Sequence, residues 1–200
     1  YAEQLGYRIK LVGLTRRREH GVELRVHPTL VPSRQLLANV EGAMNAVLVK
    51  GDAVGQTLYY GKGAGSEPTA SAVIADLVDL ARLNASTGQT TSVPMLSYQH
   101  EHLKDLAVLP IADCETGFYI RLRVLDQPGV LADITRALAD GGISIDAFVQ
   151  KAPEHGMREA EVVLLTHRCI ERDLRLAISR MVQLPSVLNE PVTLRVEDLA

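Results

Sequence analysis

Two hundred residues with 46% hydrophobic content are enough to fill one or two cores. A formal net charge of -3, 4% aromatic residues and no tryptophan exclude the basic, base-stacking surface of a nucleic-acid binder and a polybasic membrane patch. No apolar run approaches the ~20 residues that span a bilayer, and Cys114 and Cys169 stand far apart with no metal-ligand spacing, so the expectation is a cytoplasmic protein with two free thiols and no bound metal.

The chain opens on Tyr1-Ala2-Glu3-Gln4-Leu5-Gly6, which reads as the last turn of a helix closing on glycine. With no initiator methionine, the expectation is a piece of a longer polypeptide. Tyr7-Arg8-Ile9-Lys10-Leu11-Val12 alternates as a strand, the run from Arg16 through Arg17 and Arg18 to Gly21 reads as a polar turn, and residues 22–28 alternate again. Residues 33–42 predict a short helix or irregular crossing. Residues 46–50 and 56–60 then predict a hairpin around Gly51-Asp52-Ala53-Val54-Gly55, whose Gly and Asp favour positive φ. A sheet patterned on one side needs a helix layer or a partner subunit on the other.

Pro68 in a first turn capped by Ser66 or Glu67 predicts a helix. Its apolar stripe is Ala70, Val73, Ile74, Leu77, Val78 and Ala81. Residues 84–93 read as a linker and 94–116 as a tether packed on one domain. The last 84 residues give a βαββαβ order: strand 119–125, a helix with the stripe Leu131, Ile134 and Leu138, and strand 143–151. A turn at 153–156, strand 160–166, a helix carrying Leu174, Ile178 and Met181, and strand 192–196 complete it. The fold class is therefore α+β, with division at 1–83, 84–116 and 117–200.

Two segments carry chemistry. In Asp126-Gln127-Pro128-Gly129-Val130-Leu131, Pro128 fixes entry to a helix and Gly129 leaves the backbone open to a ligand. The N–H groups and positive dipole end of that helix suit a carboxylate, although an isolated Pro-Gly is most simply a strand-to-helix turn. In Gly61-Lys62-Gly63-Ala64-Gly65, between a strand and a helix, glycines let backbone approach a phosphate or another segment. The spacing is not that of the dinucleotide fingerprint. His100-Glu101-His102 lacks a third ligand cluster and reads as a solvated face, Arg16 to Arg18 as a charged turn, and His27 in a His-Pro strand end as structural. Glu23, Glu41 and Asp52 form no carboxylate pair legible in sequence.

With Gly142-Ile143-Ser144-Ile145 and Gln150 in the βαββαβ frame, the Asp126 to Leu131 turn resembles the ACT domain, a module for small amino acids, over about residues 117–198. Residues 21–32, 37–47, Gly51-Asp52 and 60–73 resemble the catalytic domain of homoserine dehydrogenase over about residues 1–83. Together the resemblances imply the end of a mixed-sheet catalytic domain with its returning helix, followed by a regulatory domain.

Several expectations come with the resemblance. The intact enzyme interconverts L-homoserine and L-aspartate 4-semialdehyde with NAD or NADP, and Gly65, Gly63 and Thr69 lie near that cofactor. The neighbours of an effector, with L-threonine the first candidate, are Asp126, Gln127, Gly129, Val130, Leu131, Ser144 and Ile145, in a site between two ACT units. A homodimer or homotetramer is expected. None of Lys10, Lys50 and Lys62 matches the family's catalytic lysine, which together with the dinucleotide fingerprint belongs upstream of residue 1, so this piece is expected to be inactive alone. The alternative function is a non-enzymatic amino-acid-binding or dimerisation module.

Overall fold

A computed structural model describes residues 1–85, 100–151 and 158–199. The turn expected at 153–156, and the linker expected at 84–93 beyond residue 85, lie outside the described residues. Two compact units form: Tyr1–Ala38 with Leu106–Ala200, and Asn39–Asp105. Compactness thus joins the first strands to the C-terminal βαββαβ unit, a grouping that chain order does not suggest.

In the larger unit, one turn in which the Leu5 N–H donates to the Tyr1 carbonyl at 3.0 Å closes on Gly6 at φ 81°. Strands β1 (Tyr7–Arg18) and β2 (Gly21–Pro32) form an antiparallel hairpin, with Arg18 opposite Gly21. The polar turn expected over 16–21 contracts to Glu19 and His20. The reason is electrostatic: Arg16 and Arg18 remain in the strand because both reach the buried Glu23 carboxylate. A 3-10 turn at Leu36–Asn39 follows where a short helix was expected.

The remaining strands are β5 (Glu115–Leu125), β6 (Ile145–Lys151), β7 (Glu159–Thr166), the two-residue β8 (Cys169–Ile170) beside the start of β5, and β9 (Val192–Val196). The main sheet runs β1-β2-β9-β5-β7-β6. Its last four strands have the fourth-first-third-second order of the split βαβ fold expected from sequence. The new feature is the β2–β9 contact, a parallel pairing of Thr29 with Arg195 and Leu30 with Val196.

Helices α2 (Val130–Ala139) and α3 (Glu171–Val182) cover one face of that sheet. Ile134 and Leu138 of α2 and Met181 of α3 are fully buried against Phe118, Ile120 and Val162. Each such side chain contributes about 1.5–3 kcal/mol. Gly142 at φ 69° ends α2, and the Ile143 N–H returns to the Leu138 carbonyl at 3.0 Å, so the chain turns sharply into β6. On the opposite face, Tyr119, Val163, Leu165, Leu194 and Val196 pack with Leu30 of β2 and with Tyr1, Ala2, Leu5 and Tyr7. The N-terminal residues thus complete the core of the C-terminal unit.

The smaller unit holds the expected hairpin, β3 (Met44–Gly51) against β4 (Gly55–Lys62), and helix α1 (Ser66–Ala85). The helix has no buried residue, and its stripe residues Val73, Ile74 and Leu77 are exposed. Among the described residues no helix is long and apolar enough to cross a membrane.

Candidate functional site

The glycine turn between β4 and α1 builds a concave surface. Gly63, Ala64, Gly65, Ser66, Thr69 and Ala70 line it together with Val73 and Ile74, a shallow surface open to solvent over about 900 Å³. Gly65 sits at φ 130°, a conformation that residues with a Cβ rarely adopt, and accepts the Thr69 N–H at 3.1 Å as α1 starts. At Gly63 the constraint is steric: a Cβ would stand 2.4 Å from the Asn45 side-chain nitrogen. Gly63, Gly65 and Thr69, named from sequence, are thus neighbours on one small-residue wall.

The second candidate site divides. The Asp126 N–H donates to the Arg158 carbonyl at 2.8 Å, and the Gln127 N–H to that of Leu125 at 3.1 Å, which fixes the turn after β5. Gly129, at φ 94°, precedes α2, no side chain caps that helix start, and no atom lies within 4 Å of where a Gly129 Cβ would stand. Uncapped N–H groups beside open space can meet an anion. Asp126, Gln127 and Gly129 are exposed, whereas Val130 is buried and Leu131 half-buried against the core.

Ser144 and Ile145 stand elsewhere. Strands β5 and β6 each run antiparallel to β7, hence parallel to one another. The 126–131 turn therefore follows the far end of β5, while Ser144 and Ile145 begin β6 at the opposite end of the sheet. Ten-residue α2 lies between them, about 15 Å of helix. A single copy cannot bring both sets onto one small ligand.

The chain is similar to known proteins along its whole length. Residues 1–78 match the family model described as homoserine dehydrogenase, and residues 118–186 match the ACT domain. Homoserine dehydrogenase from Pseudomonas aeruginosa is 50% identical over 199 residues, covering 100% of this chain and 46% of that protein. The enzyme from Neisseria gonorrhoeae is 47% identical, covering 100% of this chain and 45% of that protein. The crystal structure of a homoserine dehydrogenase from Thiobacillus denitrificans superposes with a TM-score of 0.91 at 56% identity, over 100% of this chain and 44% of that one. Along its whole length this chain is similar to one part of each of these homoserine dehydrogenases. It spans about half the length of the curated relatives it matches.

Where the homoserine dehydrogenase segment meets the ACT domain, the structure assembles residues that sequence reading kept apart. Glu23, Arg25, His27 and Thr29 of β2 are buried, while Leu24 and Val26 on the apolar face are exposed. Arg25 Nη2 lies 2.9 Å from Glu23 and 2.8 Å from Glu197, and Arg16 lies 3.3 Å from Glu197. A second group joins Glu171, at the start of α3, to Arg195 at 2.7 Å and to Arg175. Burial alone would raise the Glu171 pKa, but hydrogen bonds from Arg195 and Arg175 outweigh it and hold the pKa below the ordinary carboxylate value. The strict alternation of charge and apolar residue along 22–27 was the available signal, since it marks a polar face whose partners are distant in sequence.

His27 is buried, with Nε2 unpartnered and Nδ1 held locally. Its Nδ1 lies 2.8 Å from the Thr29 hydroxyl and 3.2 Å from the Pro28 carbonyl. Burial, aided by the nearby Arg195 charge, lowers its pKa. Lys10, Lys50 and Lys62 lie on strands β1, β3 and β4. Both cysteines are free thiols, and burial raises the pKa of each. The triplet His100-Glu101-His102 forms a 3-10 turn. Among the described residues no group of three or more His, Cys, Asp or Glu is placed to hold a metal ion.

Proposed function

We propose that this chain is the C-terminal part of a homoserine dehydrogenase, whose intact form interconverts L-homoserine and L-aspartate 4-semialdehyde with NAD or NADP in the cytoplasm. The observation that carries the reading is 50% identity to a named homoserine dehydrogenase along the full chain. The glycine wall supports it chemically. Its small side chains and the apolar Val73 and Ile74 suit the edge of a flat ring, so Gly63, Gly65 and Thr69 are the residues to hold the nicotinamide end of the cofactor. When bound, that group accepts or donates the hydride. In this reading Gly65 keeps backbone where a side chain would block approach, and Thr69 anchors the start of α1. Proton transfer at the substrate hydroxyl belongs to the family's lysine, which none of the lysines here matches, so the chain alone has no turnover.

The ACT domain is the regulatory part of the same reading, with L-threonine as effector. Its carboxylate is taken by the N–H groups at the start of α2, and its ammonium by Asp126 or nearby carbonyls. Gln127, Val130 and Leu131 shape that end, and Ser144 and Ile145 of a second copy close the site, which makes the protein a homodimer or a higher homo-oligomer. A branched side chain at Gly129 would fill the open space and strain a φ of 94°. Calorimetric titration tests this: L-threonine binds the chain and does not bind a folded Gly129→Val variant. Equal binding by both would place the effector elsewhere. A Gly65→Val variant of the full polypeptide is expected to lose at least about tenfold in kcat/KM for the nicotinamide cofactor, a barrier change near 1.4 kcal/mol. An unchanged value would remove Gly65 from the cofactor site.

A further inference from the structure

We propose that Glu197 is the joint through which amino-acid binding at the ACT domain reaches strands β1 and β2 of the homoserine dehydrogenase segment. The proposal rests on the reading that the ACT domain takes a small amino acid, and adds the route by which occupancy is felt.

Glu197 directly follows β9, and its N–H donates to the Leu30 carbonyl of β2 at 3.0 Å. Its side chain is almost wholly buried, and the Arg25 side chain beside it is 1% exposed. Arg16, Arg18 and Arg25 share two carboxylates, Glu23 and Glu197, leaving one cation in excess. Arg25 Nε and Nη1 and Glu197 Oε1 are all buried without a hydrogen-bond partner, so Arg25 and Glu197 are held together by charge at 2.8 Å, and no spare acceptor at Arg25 can replace Glu197. A network of this kind has few acceptable arrangements. Displacing Glu197 makes Arg25, and with it β2, move.

The other end of β2 is pinned. The Val22 N–H donates to the Ala107 carbonyl at 2.9 Å, and the Leu109 N–H to the Val22 carbonyl at 2.9 Å. A Cβ on Gly21 would stand 2.3 Å from the Ala107 oxygen, so the tether lies hard against the strand. Strand β2 is thus clamped at its start by the tether and at its end by β9.

The ACT side also leads to this joint. The His167 N–H donates to the Ser144 carbonyl at 2.9 Å, which ties the start of β6 to the end of β7. At the same end of the sheet, Asp146 and His167 line a cavity of about 260 Å³ with Tyr7, Glu197 and Asp198. Asp198 also holds Arg34 at 3.2 Å. Ligand pressing on Ser144 and Ile145 therefore acts on the wall that carries Glu197. A packed cavity with a buried ion network beside it transmits displacement, because neither deforms continuously.

The test is hydrogen exchange of the β2 amides, with L-threonine as probe and calorimetry run in parallel. Glu197→Gln alone would leave three clustered cations, of which Arg25 is buried, against one anion, so it is combined with Arg16→Met, which restores the native excess of one. In the unaltered chain, saturating L-threonine is expected to slow exchange over residues 22–30 by about fivefold or more, the lower range of measured couplings. In the double variant, L-threonine should bind with unchanged affinity while that slowing disappears. A merely structural role for Glu197 would change the basal exchange rate and leave the slowing intact. Equal slowing in both proteins overturns the joint and leaves the amino-acid reading standing. No L-threonine binding by the unaltered chain overturns that reading, and the joint falls with it.

Discussion

His27 shows how burial sets a residue's pH behaviour. Its folded pKa lies below the ordinary value of 6.5, chiefly from burial, so the folded state resists protonation that the unfolded chain accepts. The stability it contributes is present above about 6.5 and is lost as pH falls from there through the lower folded value. Denaturant titration across pH 5 to 7 should show this slope, and His27→Gln should flatten it; an unchanged slope would assign the effect to another group. Gly21 is fixed by contact, since any Cβ would meet the Ala107 carbonyl oxygen. Gly21→Ala is expected to cost about 1–3 kcal/mol by overpacking, read as a lower urea midpoint at unchanged m-value. A midpoint equal to that of the parent would mean that the tether lifts freely.

At the scale of elements, local pattern and distant pairing separate cleanly. The βαββαβ unit was legible because each strand alternates, each helix carries its stripe, and Gly129 and Gly142 mark where helix α2 begins and ends. The β3–β4 hairpin was legible from Gly51 to Gly55. The β2–β9 seam was not, because Thr29 and Arg195 are separated by the smaller unit and by most of the ACT domain. The face of β2 was equally hidden: Leu24 and Val26 look like core residues, yet Glu23 and Arg25 are buried, with Arg25 between Glu23 and the distant Glu197. Both residue sets came from resemblance: Gly63, Gly65 and Thr69 are close in sequence and share one surface, whereas α2 separates Ser144 from Gly129 along the sheet. The seam carries a prediction. Residues 115–199 expressed without residues 1–38 would expose Tyr119, Val163, Leu165 and Val196, and are expected to bind a hydrophobic dye and lose cooperative melting. Sharp melting of that piece without dye binding would show that the ACT domain folds independently.

At the scale of the whole molecule, β1 and β2 of the homoserine dehydrogenase match and the ACT strands belong to one compact unit. Strands from the homoserine dehydrogenase segment extend the sheet of the ACT domain, fill its second core and share its buried charges. A change in the ACT sheet would not need a mobile domain to reach the β1–β2 hairpin, because the two belong to one sheet. The most direct assay is the reduction of NAD or NADP by the full polypeptide in the presence of L-homoserine. The predicted result is turnover that depends on L-homoserine, falls when L-threonine is added, and is absent from residues 1–200 alone. No L-homoserine-dependent reduction by the full polypeptide with either cofactor would contradict the account.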